Sequence, residues 1–261
     1  MGKEFLEKAL KTELELENKV FIPYIMAGDG GLDELIPTLR RLEAHGATAI
    51  ELGIPFSDPV ADGPTIQEAG KRALKHGTTL ANVLDVLKGN RHEVTIPLVF
   101  MTYINPIFRY GVSRFFRDCQ EAGVDGLIIP DLPLEHLDLI EADAVEHGIA
   151  IIQLATLTSS EERVKELARK SEGFLYAVTV KGITGARKEF DDVISRHLNL
   201  LKEHSPVPVL AGFGISSPEH VKTMSQSCDG VVVGSRIIDL LQAGDEETIK
   251  SLIGASKGVR A

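Results

Sequence analysis

Apolar runs recur at regular intervals along the chain, and helical patterns of apolar residues separate them. Most of the runs are continuously apolar, which is typical of strands that are covered on both faces. The eight runs occupy residues 19–28, 47–55, 96–105, 125–131, 148–156, 173–180, 207–214 and 229–235. The pattern therefore predicts eight strands of a buried parallel sheet.

The segments between the runs have the spacing of amphipathic helices. In residues 32–46 the apolar side chains fall on one stripe, and Pro37 indicates a late helix start or a kink. Several segments end in a glycine directly before the next apolar run, as in "EAHGATAIEL", "QEAGVDGLII" and "VEHGIAIIQL". We expect each of these glycines to cap the C-terminus of a helix.

Eight strand-then-helix units predict a (β/α)8 barrel, a single domain over residues 1–261. The opening "MGKEFLEKALKTELE" predicts an extra N-terminal amphipathic helix. A doubly wound open sheet is the alternative, but no G-x-G-x-x-G motif follows the first predicted strand. In a barrel, the chemistry is expected in the loops that follow the C-terminal ends of the strands.

Composition narrows the classes of function. The net charge of −10 argues against nucleic-acid binding and against a polybasic membrane surface. No apolar run approaches the ~18 residues that span a bilayer. The two cysteines, Cys119 and Cys228, match no metal or redox spacing, so buried thiols in a reducing cytoplasm are expected. The eight histidines fall on predicted helices or helix ends, and metal catalysis is therefore not expected.

A glutamate interrupts the second predicted strand. Ile50, Leu52 and Ile54 share one face of this strand and suit packing against helices, so Glu51 is expected to point into the barrel mouth. Burial raises the pKa of a carboxyl group, which suits a general acid at neutral pH. The structural alternative is a glutamate held by a buried hydrogen bond.

A second acid, Asp62, lies in the loop "SDPVADGP" after the same strand. Two carboxyl groups at one barrel mouth can divide the roles of acid and base. The structural alternative for Asp62 is the N-cap of the next helix. Asp58, in the same loop, is an alternative second acid.

Glycines follow the last two predicted strands, in "AGFGISSPE" and "VVVGSRI". Gly212, Gly214, Gly234 and Ser235 permit close approach to the backbone, and a helix start follows each segment. In barrels this arrangement is typical of a phosphate site built from amide N–H groups and a helix dipole. Ordinary glycine turns are the alternative.

The loop "TVKGITGARKEF" follows the sixth predicted strand and predicts a mobile lid. Its Lys181 raises the alternative of a Schiff-base aldolase. Four residues near strand ends line either an apolar pocket or the barrel core: Phe21, Ile128, Tyr176 and Phe213. These features together predict a lyase or isomerase that acts on a phosphorylated substrate without a metal.

The stretch "ELGIPFSDPVADGPTIQ" closely resembles the signature of the tryptophan synthase α subunit family. The resemblance continues in order through "PDLP" (130–133), "GITGAR" (182–187), "GFGISSPEHV" (212–221) and "VVVGSRI" (231–237), over nearly the whole chain. It implies a (β/α)8 barrel that cleaves indole-3-glycerol phosphate to indole and glyceraldehyde 3-phosphate. Glu51 and Asp62 match the two catalytic carboxylates of the family.

The resemblance also assigns roles to the remaining candidates. Tyr176 matches an active-site tyrosine, and Phe21 and Phe213 match aromatic residues of the indole pocket. Ile128 is expected to bind substrate because of its place near a strand end. The lid is expected to contribute Thr184 and Gly185, whereas Gly214, Gly234 and Ser235 match the phosphate site.

The resemblance further implies an α2β2 complex, in which indole passes to a pyridoxal-phosphate site of a β subunit. Asp58 and Pro59 resemble the surface that contacts this partner, and this chain itself is expected to need no cofactor. A barrel that has lost activity and only activates the β subunit is the non-enzymatic alternative.

Overall fold

All eight predicted apolar runs contain strands of one parallel sheet. The computed structural model of the protein describes residues 1–179, 187–212 and 214–258. Its strands are β1 (Val20–Met26), β2 (Ile50–Gly53), β3 (Leu98–Met101), β4 (Gly126–Ile128), β5 (Ala150–Ile151), β6 (Leu154–Thr156), β7 (Leu175–Val178), β8 (Val209–Gly212) and β9 (Gly230–Val233). The predicted strand positions are confirmed.

The fifth predicted strand is split into β5 and β6, which are the two ends of the strand order, and the chain between them closes the barrel. The strand order is β5-β4-β3-β2-β1-β9-β8-β7-β6, and β5 and β6 are separated by only two residues of chain. Ile152 N donates to Leu127 O at 3.0 Å on one side, and Tyr176 N donates to Gln153 O at 3.0 Å on the other. The chain thus changes pairing partner at Ile152 and Gln153 while it continues as one wall of the barrel.

Helices follow the strands as predicted. They are α1 (Lys3–Glu15), α2 (Leu35–Ala44), α3 (Pro64–Lys75), α4 (Leu80–Asn90), α5 (Ile104–Tyr110), α6 (Val112–Ala122), α7 (Glu141–His147), α8 (Glu161–Lys170), α9 (Arg187–His204), α10 (Pro218–Met224), α11 (Ser235–Ala243) and α12 (Glu246–Gly254). Pro37 lies in the first turn of α2, so its late-start interpretation is confirmed.

Glycines with positive φ follow three of these helices, as expected. Gly46, Gly123 and Gly148 have φ angles of 95°, 71° and 64°. An L-residue with a side chain rarely adopts this conformation, and the glycine therefore allows the chain to turn from the helix into the next strand.

The strands separate two apolar layers. Side chains such as Ile50 and Leu52 belong to the layer between the sheet and the outer helices. Side chains such as Ile22 and Val99 fill the barrel interior. Successive residues of a strand point to opposite sides, so each strand contributes to both layers.

The extra N-terminal helix α1 closes the end of the barrel at which the strands begin. Leu6 and Leu10 are fully buried among the interior side chains. A Cβ atom on Gly126 or Gly173 would lie 3.1 or 2.7 Å from Leu6 Cδ2, so glycine at these positions makes room for the leucine. The predicted helix is confirmed, and it leaves the opposite end of the barrel for chemistry.

The described residues contain neither a membrane-spanning helix nor a disulfide. None of the helices there is long and apolar enough to cross a membrane. Cys119 and Cys228 are buried and form no disulfide, and burial raises the pKa of both thiols, that of Cys228 to about 11.

We predict that Leu6→Ala destabilises the barrel much more than Leu16→Ala, which changes a leucine that is 66% exposed at the end of the same helix. A buried leucine-to-alanine change costs about 2–5 kcal/mol, which lowers the Tm of a protein of this size by about 5–15 °C. Differential scanning calorimetry of both variants measures this difference. Equal Tm values for the two variants would contradict the account of α1 as an end closure.

Candidate active site

A cavity of about 670 Å³ opens at the end of the barrel where the strands finish. Its volume lies within the range of about 300–1,000 Å³ that is usual for small-molecule sites. Its wall includes Tyr24, Glu51, Met101, Ile128, Leu154, Tyr176, Val178 and Val232 from the strands, and Asp62, Ile66, Gly214, Ser216, Gly234, Ser235, Arg236 and Asp239 from loops and helix starts. Apolar side chains from the strands and polar groups from the loops and helix starts therefore line the cavity together.

Glu51 occupies the inner face of β2, as predicted. Its exposure is 1%, and its Oε2 atom has no hydrogen-bond partner within the described residues. The Oε2 atom is therefore not held by a buried hydrogen bond from any residue that the structure describes. Burial, and then the charge of Asp62, raise the pKa of Glu51 to about 8.

Asp62 reaches the same cavity from the loop between β2 and α3. The loop turns tightly, because Asp62 N donates to Pro59 O at 3.2 Å and the Gln67 side chain donates to Asp62 O at 2.8 Å. The N-cap of α3 is Gly63, so Asp62 does not cap this helix. Burial raises the pKa of Asp62 to about 6, while the hydroxyl of Tyr103 opposes the rise.

The two carboxyl groups differ in charge at neutral pH. With pKa values of about 8 and about 6, Glu51 retains its proton at pH 7 whereas Asp62 is mostly ionised. A protonated acid beside an anion can donate a proton and stabilise the cation that results. Asp58, the alternative second acid, is exposed and does not line the cavity.

Two tyrosines face the cavity, and each lies against a glycine of the neighbouring strand. A Cβ atom on Gly53 would lie 2.0 Å from the hydroxyl oxygen of Tyr24, and one on Gly212 would lie 2.2 Å from that of Tyr176. Burial raises the pKa of both phenols, so both remain neutral. Gly212 therefore makes room for Tyr176, and unlike Gly214 and Gly234 it does not belong to the cavity wall.

The prediction that Phe21 lines the pocket is wrong. Phe21 is fully buried in the layer between the sheet and the helices, together with Ile25. Because side chains alternate along β1, it is Tyr24 that faces the cavity and Phe21 that points away. In the register of β1 and β2, Tyr24 pairs directly with Glu51.

The polar end of the cavity lies at the start of α11. Gly214, Gly234 and Ser235 all line the cavity here, as does Ser216. The backbone N–H groups of a first helical turn lack intrahelical partners and carry the positive end of the helix dipole. This end of the cavity has the chemistry of an anion site.

Arg236 also lines this end, and sequence reasoning did not select it. Within the described part of the chain it is the only lysine or arginine in the cavity wall, and its Nε atom is buried without a partner. Its position directly after Ser235, in the first turn of a helix that follows a glycine, was the available signal.

The remaining candidates divide into three groups. Ile128 is buried and lines the cavity. Asp58 is exposed and Pro59 is half-buried, and neither lines the cavity. Lys181, Thr184, Gly185 and Phe213 lie outside the described residues, as does the centre of the predicted lid.

Comparison with known proteins gives a consistent result. The family described as "Tryptophan synthase alpha chain" matches residues 10–258. A tryptophan synthase alpha chain from Oceanobacillus iheyensis is 52% identical over 258 residues, which cover 99% of this chain and 98% of the relative.

Two solved structures share the fold over nearly their full length. A subunit alpha from Legionella pneumophila superposes with a TM-score of 0.86 at 33% identity and covers 98% of each chain. A chain of tryptophan synthase from M. tuberculosis, in its aminoacrylate-bound form, superposes with a TM-score of 0.88 at 28% identity and covers 98% of this chain and 100% of that one. The chain belongs to the tryptophan synthase alpha chain family, which consists of lyases of tryptophan biosynthesis.

Proposed function

We propose that this chain cleaves indole-3-glycerol phosphate to indole and glyceraldehyde 3-phosphate, with Glu51 and Asp62 as its acid–base pair. The observation that carries this proposal is the presence of both acids in one cavity with pKa values of about 8 and about 6. Membership of the family supports the class of reaction.

The chemistry requires an acid and an anion. Indole is a poor leaving group as a carbanion, so its C3 atom must first take a proton, which Glu51 donates. The nitrogen N1 then carries positive charge, which the Asp62 carboxylate stabilises. Glu51, now ionised, takes the proton of the C3′ hydroxyl group, the C–C bond breaks, and its electron pair restores the aromatic indole.

The shape of the cavity supports an orientation of the substrate. The indole ring is placed in the apolar depth, beside Tyr24, Ile128 and Tyr176, with Glu51 and Asp62 at its edge. The phosphate is placed at the start of α11, where Gly214, Gly234 and Ser235 offer amide N–H groups and Arg236 offers a positive charge.

We also propose a β subunit as the partner, in an α2β2 complex that receives the indole at its pyridoxal phosphate. Family membership supports the partner. The exposed Asp58, Val60 (83%) and Phe108 (45%) are available for this contact, with Pro59 between them. By this account the α chain binds no cofactor of its own and works in the cytoplasm.

No specific observation favours either of the two competing functions, a Schiff-base aldolase or an inactive barrel. A Schiff-base aldolase needs a lysine in the cavity, and no lysine belongs to the wall within the ranges that the structure covers. An inactive barrel has no use for two buried carboxyl groups, because each destabilises the fold when it is charged.

We predict that Glu51→Gln and Asp62→Asn each lower the rate of indole release by a factor of about 10²–10⁴, since each removes a group that acts on the reacting atoms. Release is measured from indole-3-glycerol phosphate with and without a β subunit. Asp85→Asn, at an exposed position of α4, is the matched control and is expected to retain full turnover. If Glu51→Gln releases indole as fast as wild type does, the assignment of Glu51 as the acid is overturned.

The raised pKa of Glu51 also predicts a pH dependence of stability. The folded state favours the protonated form, so the contribution of this group is complete below about pH 4.5 and is lost as the pH rises through about 8. The Tm of wild type, relative to Glu51→Gln, is therefore expected to fall between about pH 5 and pH 8. Calorimetry across this range measures it, with Glu247→Gln on the exposed face of α12 as the control. A Tm difference that does not vary with pH would contradict the prediction.

We predict that Arg236→Gln weakens binding through the phosphate alone. A hydrogen bond to a charged group contributes about 1.5–3 kcal/mol, so KM for indole-3-glycerol phosphate should rise about tenfold or more. The affinity for an indole alkyl phosphate should fall by the same factor, and that for the corresponding alcohol should not change. Arg40→Gln, on the surface of α2, is the control. Equal losses for phosphate and alcohol would show a structural effect instead.

A further inference from the structure

Ser216 lies at the polar end of the cavity, on the loop that follows β8. The strands β8 and β9 are neighbours in the sheet, so the loops after them begin side by side. The first loop brings Ser216 to the cavity wall, and the second brings Ser235 and Arg236. The Ser216 hydroxyl group thus lines the same end of the cavity as the groups assigned to the phosphate.

The imidazole ring of His220 lies against this hydroxyl group. Its Nδ1 atom is 3.3 Å from Ser216 Oγ, across the first turn of α10. The backbone of His220 is fixed there, because its N–H donates to the side chain of Ser217, the N-cap residue, at 3.3 Å. The next residue, Val221, is fully buried and anchors this turn on the barrel. His220 does not itself line the cavity, so it can act there only through Ser216.

The direction of the hydrogen bond between Ser216 and His220 depends on where the imidazole carries its proton. A hydroxyl group has one proton and two lone pairs, whereas a neutral imidazole has one donor and one acceptor nitrogen. If Nδ1 is the acceptor, the Ser216 proton is directed to the ring and away from the cavity. In the imidazolium form Nδ1 donates to Ser216 Oγ, and the Ser216 proton is then free for an acceptor in the cavity.

We propose that His220 is a positioning residue of the phosphate end, which when protonated turns the Ser216 hydroxyl group toward a phosphoryl oxygen. This inference rests on the proposed function and adds a proton-linked step to the binding of the phosphate. The bound anion favours the protonated ring and the protonated ring favours the bound anion, because coupling between two binding events is reciprocal. Binding of the phosphate is therefore expected to take up a proton.

Several other groups near the site respond to pH or carry charge. Histidine changes its charge between pH 5 and 8, but Asp62, Glu51 and a phosphate monoester also titrate in this range. The test therefore compares variants at each pH, so that these shared titrations cancel. The charged groups on and around α10 stay in place in the variants: Glu219 and Lys222 on α10, Glu246, Glu247 and Lys250 on α12, which packs on α10, Asp229 before β9, and Arg236 and Asp239 on α11.

The test measures the Kd of an indole alkyl phosphate by isothermal titration calorimetry from pH 5.5 to pH 8.5, for wild type and for His220→Gln. The ratio of the variant Kd to the wild-type Kd is expected to rise about tenfold from pH 8.5 to pH 5.5, as for a hydrogen bond to a charged group. Titrations in buffers of different ionisation enthalpy should show that wild type takes up more protons on binding than His220→Gln. For the corresponding alcohol, the ratio should not change with pH.

Two further variants separate the hydroxyl group from the ring and from a general effect of histidine. In a Ser216→Ala background, His220→Gln is expected to have no further effect, because both changes interrupt the same connection. His147→Gln is the matched control, since His147 Nδ1 lies 3.0 Å from Gln120 Oε1 at the end of α7, outside the cavity wall. His147→Gln is expected to keep the wild-type pH dependence.

Equal pH dependence in wild type and His220→Gln would overturn the proposal, as would an equal effect on the alcohol. Wild type that binds neither the indole alkyl phosphate nor inorganic phosphate at any pH would also overturn it. If wild type binds the phosphate but releases no indole with a β subunit, the proposed function fails. The two titrations then still decide whether His220 positions Ser216.

Discussion

The strict alternation of side chains along the nine parallel strands is the constraint on which this molecule depends. Every strand is covered on both faces, so each side chain points either into the barrel interior or into the layer under the helices. In β2 this alternation forces Glu51 inward, since Ile50 and Leu52 are required outside. The same alternation brings Tyr24 to the cavity and turns the aromatic ring of Phe21 away from it. The side chains that line the cavity end of the barrel thus follow from this alternation and from the closure of the sheet. The helix α1 fills the other end.

Burial inside the barrel then determines the chemistry of the acids. A carboxyl group without solvent favours its neutral form, and a second carboxyl group nearby strengthens that preference. Glu51 meets both conditions, because it is 1% exposed and Asp62 shares its cavity. Asp62 is less buried and has the hydroxyl of Tyr103 beside it, so it ionises more easily. The difference between the two environments, not between the two residue types, separates the pKa values of the two carboxyl groups.

Much of this could be predicted from the sequence, because strand positions and the inward direction of Glu51 follow from local periodicity. Phe21 marks a limit of prediction: nearness to a strand end does not give access to the cavity, because the period of two along β1 turns Phe21 outward and Tyr24 inward. The split of the fifth strand was beyond prediction, since it depends on how Ile152 and Gln153 pair with two different neighbours. The contact between Tyr103 and Ala61 was equally hidden, because it joins residues 42 positions apart across two loops.

The different origins of the two acids have a functional consequence. Glu51 is part of a strand that is hydrogen-bonded on both sides, so its position is determined by the barrel and is insensitive to events at the surface. Asp62 is part of a loop, and its position depends on a small number of contacts that a binding partner can reach. Under the proposed function, the proton donor therefore lies on the rigid sheet and the stabilising anion lies on a loop. A barrel with both acids on loops would lack the burial within a strand that raises the pKa of Glu51.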